Sequence, residues 1–259
     1  MRAPALLVAW LLAAAAAPAG AASVLIFGEL HDQPDQQRQV AQEVQRLADA
    51  GRLAAVVLEM AETPHRTTGL DRGAGEAEAR AALAWQGWPW ASYAAVVMNA
   101  VRAGVPVVGG NLPRQDLRAA MADATVDGLI PAEVRERLAQ AVRSGHCGLL
   151  PEAQVPGMVR VQIARDRSIA QVLAEQARAA GPEQAVLLLA GAQHASRDRG
   201  VPLHLARIDP GLAVRVVLFA DDPSKLQADE RREAVATPQE DHCEGLRRQW
   251  ALPRAASAP

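Results

Sequence analysis

The chain contains 259 residues, of which 50% are hydrophobic and 22% are charged. This balance is typical of a globular protein that buries a large core, and it excludes the disordered and fibrous classes. The formal net charge of -2 excludes the basic surplus that nucleic acid or an anionic membrane surface would require, so no nucleic-acid partner is expected.

The first 22 residues have the pattern of an export signal. Arg2 precedes an apolar run rich in leucine and alanine, and Pro18 and small residues follow that run, as a signal peptidase requires. We therefore predict a signal peptide over residues 1–22. Retention of the segment as a membrane anchor is the alternative, but the run is short for a membrane span. A lipid anchor is not supported, because no cysteine lies near the predicted cleavage site. The mature chain is therefore expected to be exported without an integral membrane span.

Five β-branched or leucine-rich runs predict strands, at residues 24–27, 54–58, 105–108, 185–189 and 214–219. Stretches of helical periodicity lie between them, at residues 35–50, 92–103, 131–144 and 158–180. This alternation predicts an α/β fold with a mostly parallel central sheet flanked by helices. Residues 116–144 are predicted to form a helical insertion near the carboxyl ends of the strands. His204 is predicted to lie in a turn that enters an edge strand.

We predict one domain over residues 23–231 and a tail over residues 232–259 that is partly disordered. Export would place the two cysteines, Cys147 and Cys243, in an oxidising compartment, where they can form one disulfide. Each cysteine also follows a histidine directly. The alternative is therefore that the two thiols contact a metal or haem. The bridge is the preferred interpretation, because this spacing does not match a zinc site.

Polar or ionisable residues follow the predicted strands where each strand ends. They are Glu29, His31, Glu59, Asn111 and His194. We expect them to converge, because the carboxyl ends of parallel strands meet at one crevice, where such folds bind ligands. His31 and His194 share a Gly-x-x-His frame, and together with Glu59 they suit zinc, manganese or iron. The alternative is a structural network of ion pairs, such as one between Glu59 and Arg165.

Residues 85–93 hold three tryptophans and the only tyrosine of the chain: Trp85, Trp88, Trp90 and Tyr93. One interpretation is a lid over the core, because tryptophan is commonly buried. The other is the wall of a pocket for a large flat ligand such as haem, whose ferric iron a phenolate can hold.

Seven motifs, in this order, resemble the ChaN-like haem-binding uptake proteins of the wider Tiki/TraB and erythromycin-esterase-like superfamily: FGELHD, VVLEM, WPWASY, VPVVGGNLPR, HCGLLP, QIARDRSIA and GAQHASRDRGVPLHL. The resemblance covers roughly residues 24–220. It implies an α/β fold, a periplasmic or outer-membrane-associated location, and haem binding linked to iron uptake. It also implies haem held between two subunits with a tyrosine as iron ligand, for which Tyr93 is the candidate.

Two departures from the family pattern matter. The lipidation cysteine of many relatives is absent, and Gln193 stands where a smaller residue such as glycine is expected. The first departure weakens a lipoprotein assignment. The second affects the expected geometry beside His194.

Two functions therefore compete. In the first, the chain binds haem: Tyr93 ligates the iron, Trp88 and Trp90 pack on the porphyrin, Asn111 contacts the ligand, and Arg114 or Arg165 pairs with the propionates. In the second, the chain is a metal-dependent hydrolase, as the resemblance implies for other relatives: His31, Glu59 and His194 hold the metal, and Glu29 is the general base. A structural ion-pair network with an unknown ligand remains a third possibility.

Overall fold

The computed structural model describes residues 22–31, 33–219, 226–238 and 241–251. Within these residues, six strands form one all-parallel sheet in the order β3-β2-β4-β1-β5-β6. The strands are β1 (Ser23–Glu29), β2 (Leu53–Glu62), β3 (Val107–Asn111), β4 (Ala185–Gly191), β5 (Ala213–Leu218) and β6 (Glu230–Arg231). The predicted mostly parallel sheet is confirmed. All five predicted strands are present, and the short β6 is additional.

The described helices are α1 (Pro34–Asp49), α2 (Glu76–Ala82), α3 (Trp90–Ala103), α4 (Leu117–Ala122), α5 (Ala132–Gly145), α6 (Val155–Ala179), α7 (Ala192–Ala195), α8 (Val201–Ile208) and α9 (His242–Ala251). Three short 3-10 helices accompany them, at Arg114–Asp116, Ala124–Leu129 and Glu152–Gln154. The four predicted helices correspond to α1, α3, α5 and α6. Among the described residues, no helix is long and apolar enough to cross a membrane.

Helices cover both faces of the sheet, as its continuously apolar strands require. Successive residues of a strand face opposite layers, so Phe27 packs in the core beneath α1 and α3. Ile26 packs in the core beneath α6 and α8. Helices therefore hold the strands, including their carboxyl ends, in place from both faces of the sheet.

The predicted helical insertion is confirmed. Helix α5 packs on the amino-terminal half of α6, where Leu138 and Val142 meet Val159 and Ile163 in a small separate core. This arrangement carries α5 beyond the sheet, to the edge at which the parallel strands end.

A disulfide joins Cys147, just after α5, to Cys243 in α9, with a Cα–Cα distance of 5.5 Å. The predicted bridge is confirmed, and the alternative of two ligand thiols is wrong, because the chain has no free cysteine. The predicted tail therefore contains a helix that is fastened to α5. The domain boundaries remain predictions, and the predicted signal peptide lies outside the described residues except for Ala22.

The predicted turn around His204 is wrong, because this residue lies in α8 and is buried. Pro202 occupies the first helical turn, where its missing N–H costs nothing. Val201 and Leu205, four residues apart, face the sheet together. The wrong prediction took Pro202 as a turn signal and did not use the helical spacing of Val201 and Leu205.

Candidate functional site

The structure brings the predicted strand-end residues together. Glu29 ends β1 directly beside Gly191, the last residue of the neighbouring β4. Glu59 lies in β2 on the other side of β4, and His194 lies in α7, which begins immediately after β4. The predicted convergence at the carboxyl edge follows from this strand order.

Glu59 is the centre of the cluster. Its Oε2 accepts a hydrogen bond of 2.6 Å from the Gly191 amide and lies 3.9 Å from His31 Nε2, and its Oε1 lies 3.5 Å from His194 Nε2. Burial raises the pKa of Glu59, but the charges of His194 and His31 and the Gly191 hydrogen bond outweigh it and lower this pKa below its usual value. Glu59 is therefore a buried carboxylate held between two imidazoles.

Asp166, on α6, lies behind His194, and its Oδ1 is 2.6 Å from His194 Nδ1. Burial raises the pKa of Asp166 to about 6, against the opposing effect of His194. Burial lowers the pKa of His194, but Glu59 and Asp166 outweigh it and raise this pKa to about 9. At neutral pH the buried imidazolium thus lies between two carboxylates.

A second network meets at Glu29. Tyr93, on α3, donates its hydroxyl to Glu29 Oε1 at 2.7 Å, and Gln37, on α1, donates to Glu29 Oε2 at 2.6 Å. His31 Nδ1 lies 2.9 Å from Glu29 Oε1 and 3.2 Å from the Tyr93 hydroxyl. Burial lowers the pKa of His31, but the Glu29 hydrogen bond and the Glu59 charge outweigh it and raise this pKa. The ring of Trp88 covers His31 with 4.5 Å between centroids.

The two glycines of the Gly-x-x-His frames are required by close approach. A Cβ at Gly28 would lie 2.3 Å from Leu218 Cδ2 and 2.5 Å from Ala195 Cβ. A Cβ at Gly191 would lie 2.9 Å from His31 Nε2. The first glycine lets α7 pack against β1, and the second leaves room for the imidazole of His31.

Two cavities open beside Glu59. The larger one, of about 350 Å³, lies between the ends of β1 and β4 and helix α5. His31, Glu59 and His194 line it on one side, and Leu138 and Val142 of α5 line it on the other. It therefore combines imidazoles with an apolar helical wall.

The smaller cavity, of about 180 Å³, is lined by Trp88, Asn111, Arg114 and Arg165 as well as Glu59. Arg114 pairs with Glu62 at 3.2 Å. Asn111 donates to the Glu59 carbonyl, and its Oδ1 and the Arg165 Nε are buried without a hydrogen-bond partner in the described part of the chain. Arg165 makes no ion pair with Glu59, although its charge helps to lower the Glu59 pKa. This cavity therefore combines two guanidinium groups with the carboxylates of Glu59 and Glu62.

Two predicted haem contacts line neither cavity. Tyr93 is buried, with 1% of its surface exposed, and lies behind His31. Trp90 donates its indole N–H to Glu76 at 2.7 Å and meets the edge of Trp85 at 5.0 Å. Their predicted contacts with a ligand stay predictions, and each would require the segment around them to move.

Sequence reasoning missed three participants: Gln37, Asp166 and His146. Asp166 lies in one of the quoted motifs, but its partner His194 is 28 residues away. His146 follows α5 and lines the larger cavity, whereas the sequence suggested it only as the neighbour of a cysteine. Across the described ranges, no three His, Cys, Asp or Glu side chains are grouped so as to hold a metal ion, and the metal role of His31, Glu59 and His194 stays a prediction.

The fold and the site define a class: parallel α/β proteins whose ligand crevice lies at the carboxyl edge of the sheet and is lined by paired histidines and carboxylates. The chain belongs to the family described as haem-binding uptake, Tiki superfamily, ChaN, which matches residues 15–205. The resemblance seen in the sequence is thereby confirmed.

One solved structure supports the fold. The chain is similar to a structure described as cofacial heme binding to ChaN of Campylobacter jejuni, with 24% identity and a TM-score of 0.67, over 80% of this chain and 86% of that chain. A structure described as bacterial protein toxins matches with 12% identity and a TM-score of 0.40, over 81% of this chain and 36% of that chain. No curated protein matches the chain.

Proposed function

We propose that the chain binds haem in the larger cavity and that it is an exported component of haem or iron uptake. Family membership supports haem as the ligand. The observation that supports this cavity as the haem site is that an apolar wall on α5 faces Glu29 and the imidazole of His31 across it.

The residues present fit haem. A porphyrin requires apolar walls, and its iron takes nitrogen, oxygen or sulfur ligands. The larger cavity offers Leu138, Val142 and the imidazole of His31. Haem also carries two carboxylates, which guanidinium groups bind through charge-assisted hydrogen bonds. Arg165 and Arg114 line the adjoining cavity, which shares Glu59 with the larger one.

Two groups of the Glu29 network are candidates to hold the iron. The side chain of His31 is 28% exposed and lines the cavity, whereas the hydroxyl of Tyr93 is buried and engaged by Glu29. His31 therefore reaches a ligand without rearrangement. In this arrangement Glu29 and Tyr93 orient His31 through Nδ1 and leave Nε2 directed away from them. Ligation by Tyr93 would instead require its hydroxyl to leave Glu29.

Hemin titration of the purified mature protein, followed by absorption, tests this function. The wild type is expected to give a saturable Soret shift. His31→Ala should weaken the affinity at least about tenfold, equivalent to ~1.4 kcal/mol, and Tyr93→Phe should retain the shift. Gln140→Ala, at an exposed position of α5 that lines neither cavity, is the control. Loss of the shift in Tyr93→Phe alone would assign the iron to Tyr93, and no saturable response in the wild type would overturn haem binding.

Export and assembly belong to the same proposal. The disulfide supports an oxidising compartment, because such bridges persist in exported proteins and are rare in the cytosol. Fractionation of the source cells tests the periplasmic or outer-membrane location. A homodimer closed around haem predicts that hemin increases the sedimentation coefficient of the protein, and an unchanged coefficient would contradict it.

A metal-dependent hydrolase is the second candidate, and one observation favours it. His194 is oriented by Asp166 through Nδ1 and directs Nε2 toward Glu59, which is how a carboxylate commonly supports a metal-binding histidine. A bound Zn, Mn or Fe would lower the pKa of a ligated water. Glu29, the predicted base, is occupied by Tyr93 and Gln37. Elemental analysis decides: a stoichiometric metal that His194→Ala loses would support this function, and equal metal content in both proteins would reject it.

A further inference from the structure

We propose that the C-terminal segment is a redox-sensitive strap that links the two sides of the larger cavity and slows the release of its ligand. The strap is described over residues 226–238 and 241–251, beyond the residues 15–205 that match the family. Its attachment to α5 depends on one covalent link, the disulfide between Cys147 and Cys243. The inference rests on the proposed haem function for the identity of the ligand.

The strap is attached first on the sheet side of the cavity. Leu226 lines the cavity itself, and β6 extends the sheet beside β5. The strap then passes the start of α1, where Gln33 Nε2 donates to the Thr237 carbonyl at 3.1 Å and the Thr237 amide donates to Gln33 Oε1 at 2.8 Å. Gln33 is buried and lies two residues after His31, which lines the cavity. This attachment is therefore next to the sheet side of the cavity.

The second attachment is on the helical side of the cavity. Cys243, in α9, is bonded to Cys147, and His242 Nε2 donates to the Gly145 carbonyl at 3.0 Å. Gly145 and His146, at the end of α5, line the cavity. The strap therefore holds the part of α5 that forms this wall.

The two attachments are close together along the chain. Four residue steps separate Thr237 from Asp241, and an extended chain covers at most about 14 Å in four steps. The strap thus connects the segment after β1 to the end of α5 over a short distance. It limits how far these two sides of the cavity can separate.

The helical attachment depends on the disulfide. No described side chain of α9 is buried, and Trp250 is 43% exposed. A helix of ten residues that buries so little apolar surface is marginal on its own. Cys147 has a φ of 55°, a conformation that is costly for a residue other than glycine and persists where its surroundings hold it. Loss of the disulfide should therefore release α9 and let the end of α5 relax.

A dithiol can open this link. Both cysteines are half-buried, so a small dithiol reaches the bond. The dithiol supplies two electrons and two protons: its own two sulfurs become joined, the Cys147–Cys243 bond breaks, and the chain gains two thiols. Reduction thus opens the helical side of the cavity without altering a residue of the Glu29 or Glu59 networks.

The experiment measures the rate at which hemin leaves the protein for an excess of apomyoglobin. It compares the oxidised wild type, the wild type reduced with dithiothreitol and then freed of reagent, and the double variant Cys147→Ser/Cys243→Ser. Reduction and the double variant should each speed release at least about tenfold, because weaker binding appears mostly in the dissociation rate. Dithiothreitol should leave the rate of the double variant unchanged, which controls for other effects of the reagent.

A second variant tests the sheet-side attachment with the disulfide intact. Gln33→Leu removes both hydrogen bonds to Thr237 and should also speed hemin release. Gln45→Leu is the matched control, because it replaces an exposed glutamine of the same helix that bonds to Asp49, and it should release hemin as the wild type does. Circular dichroism checks that each variant folds. If one does not, the reduced wild type supplies the comparison.

The outcomes separate this inference from the proposed function. If the wild type binds hemin and its release rate is the same before and after reduction, the strap is overturned and haem binding stands. Faster release in the double-serine variant but not in Gln33→Leu would confine the effect to α5 and also overturn the strap. No saturable hemin response in the wild type would contradict the proposed function. Amide hydrogen exchange then tests the strap without haem: reduction should speed exchange in α9 and at the end of α5, and unchanged exchange would overturn it.

Discussion

The hydroxyl of Tyr93, on α3, donates a hydrogen bond of 2.7 Å to Oε1 of Glu29, at the end of β1. Neither group is accessible, since each residue is 1% exposed. The same carboxylate oxygen contacts Nδ1 of His31. The chain thus uses its only tyrosine to orient the carboxylate that in turn orients an imidazole of the crevice.

Replacement of Tyr93 by phenylalanine removes one donor from the buried Glu29. A hydrogen bond to a carboxylate stabilises a protein by about 1.5–3 kcal/mol, so urea unfolding of Tyr93→Phe should show a loss in that range. Trp90→Phe is the control, because it removes the indole donor from the exposed Glu76. We expect the control to lose under about 1 kcal/mol. A loss for Tyr93→Phe as small as that of the control would contradict a stabilising Tyr93–Glu29 hydrogen bond.

The buried Asp166–His194 pair predicts a larger effect. Asp166→Asn leaves His194 with one carboxylate partner, Glu59, and breaking a buried ion pair costs about 3–5 kcal/mol. Asp123→Asn, at an exposed carboxylate bonded to Thr125, is the control and should change the stability far less. Chemical unfolding measures both changes. A cost for Asp166→Asn as small as that of the control would contradict a charged pair.

Stability should also depend on pH through His194. Its pKa is about 9 in the folded protein and about 6.5 when unfolded, so the folded state binds the proton more tightly. This contribution is fully present below pH 6.5 and is lost as the pH rises toward 9. The free energy of unfolding should therefore fall across this window, and less steeply in His194→Gln. If the free energy of unfolding depended on pH equally in both proteins, a group other than His194 would be responsible.

Alanine substitutions at Gly28 and Gly191 should affect stability and hemin affinity differently. Gly28→Ala forces contact with Leu218 and Ala195, and such overpacking costs about 1–3 kcal/mol. Gly191→Ala instead meets His31 Nε2 and should displace this imidazole. We expect the first variant to be destabilised with near-normal hemin affinity and the second to lose affinity with a smaller loss of stability. The reverse ranking would contradict the role of His31.

The sequence predicted what depends on local patterns. Apolar runs located the strands, and the rule that parallel strands end at one edge brought Glu29, Glu59 and His194 together. Contacts between distant segments were out of reach: the sequence placed Tyr93 at the site, but its partner Glu29 is 64 residues away. In the sequence, Asp166 belongs to a charged turn of a predicted helix. Its contact with His194 is visible only from the packing of α6 on the sheet.

The helical wall of the cavity was equally inaccessible. The sequence predicted α5 and its place near the strand ends, but not which of its faces turns toward them. That orientation follows from Leu138 and Val142 packing on α6 and from the Cys147–Cys243 bridge. His146 gains its position from this tertiary packing.

The central claim, that haem occupies the larger cavity, is tested most directly by hemin titration of two neighbouring tryptophan variants on α5. Ala141 lines the cavity, whereas Gln140 is exposed and lines neither cavity. Ala141→Trp should fill the cavity and abolish the saturable Soret shift, and Gln140→Trp, with the same added ring, should bind hemin as the wild type does. Undiminished binding by a folded Ala141→Trp protein would contradict this location.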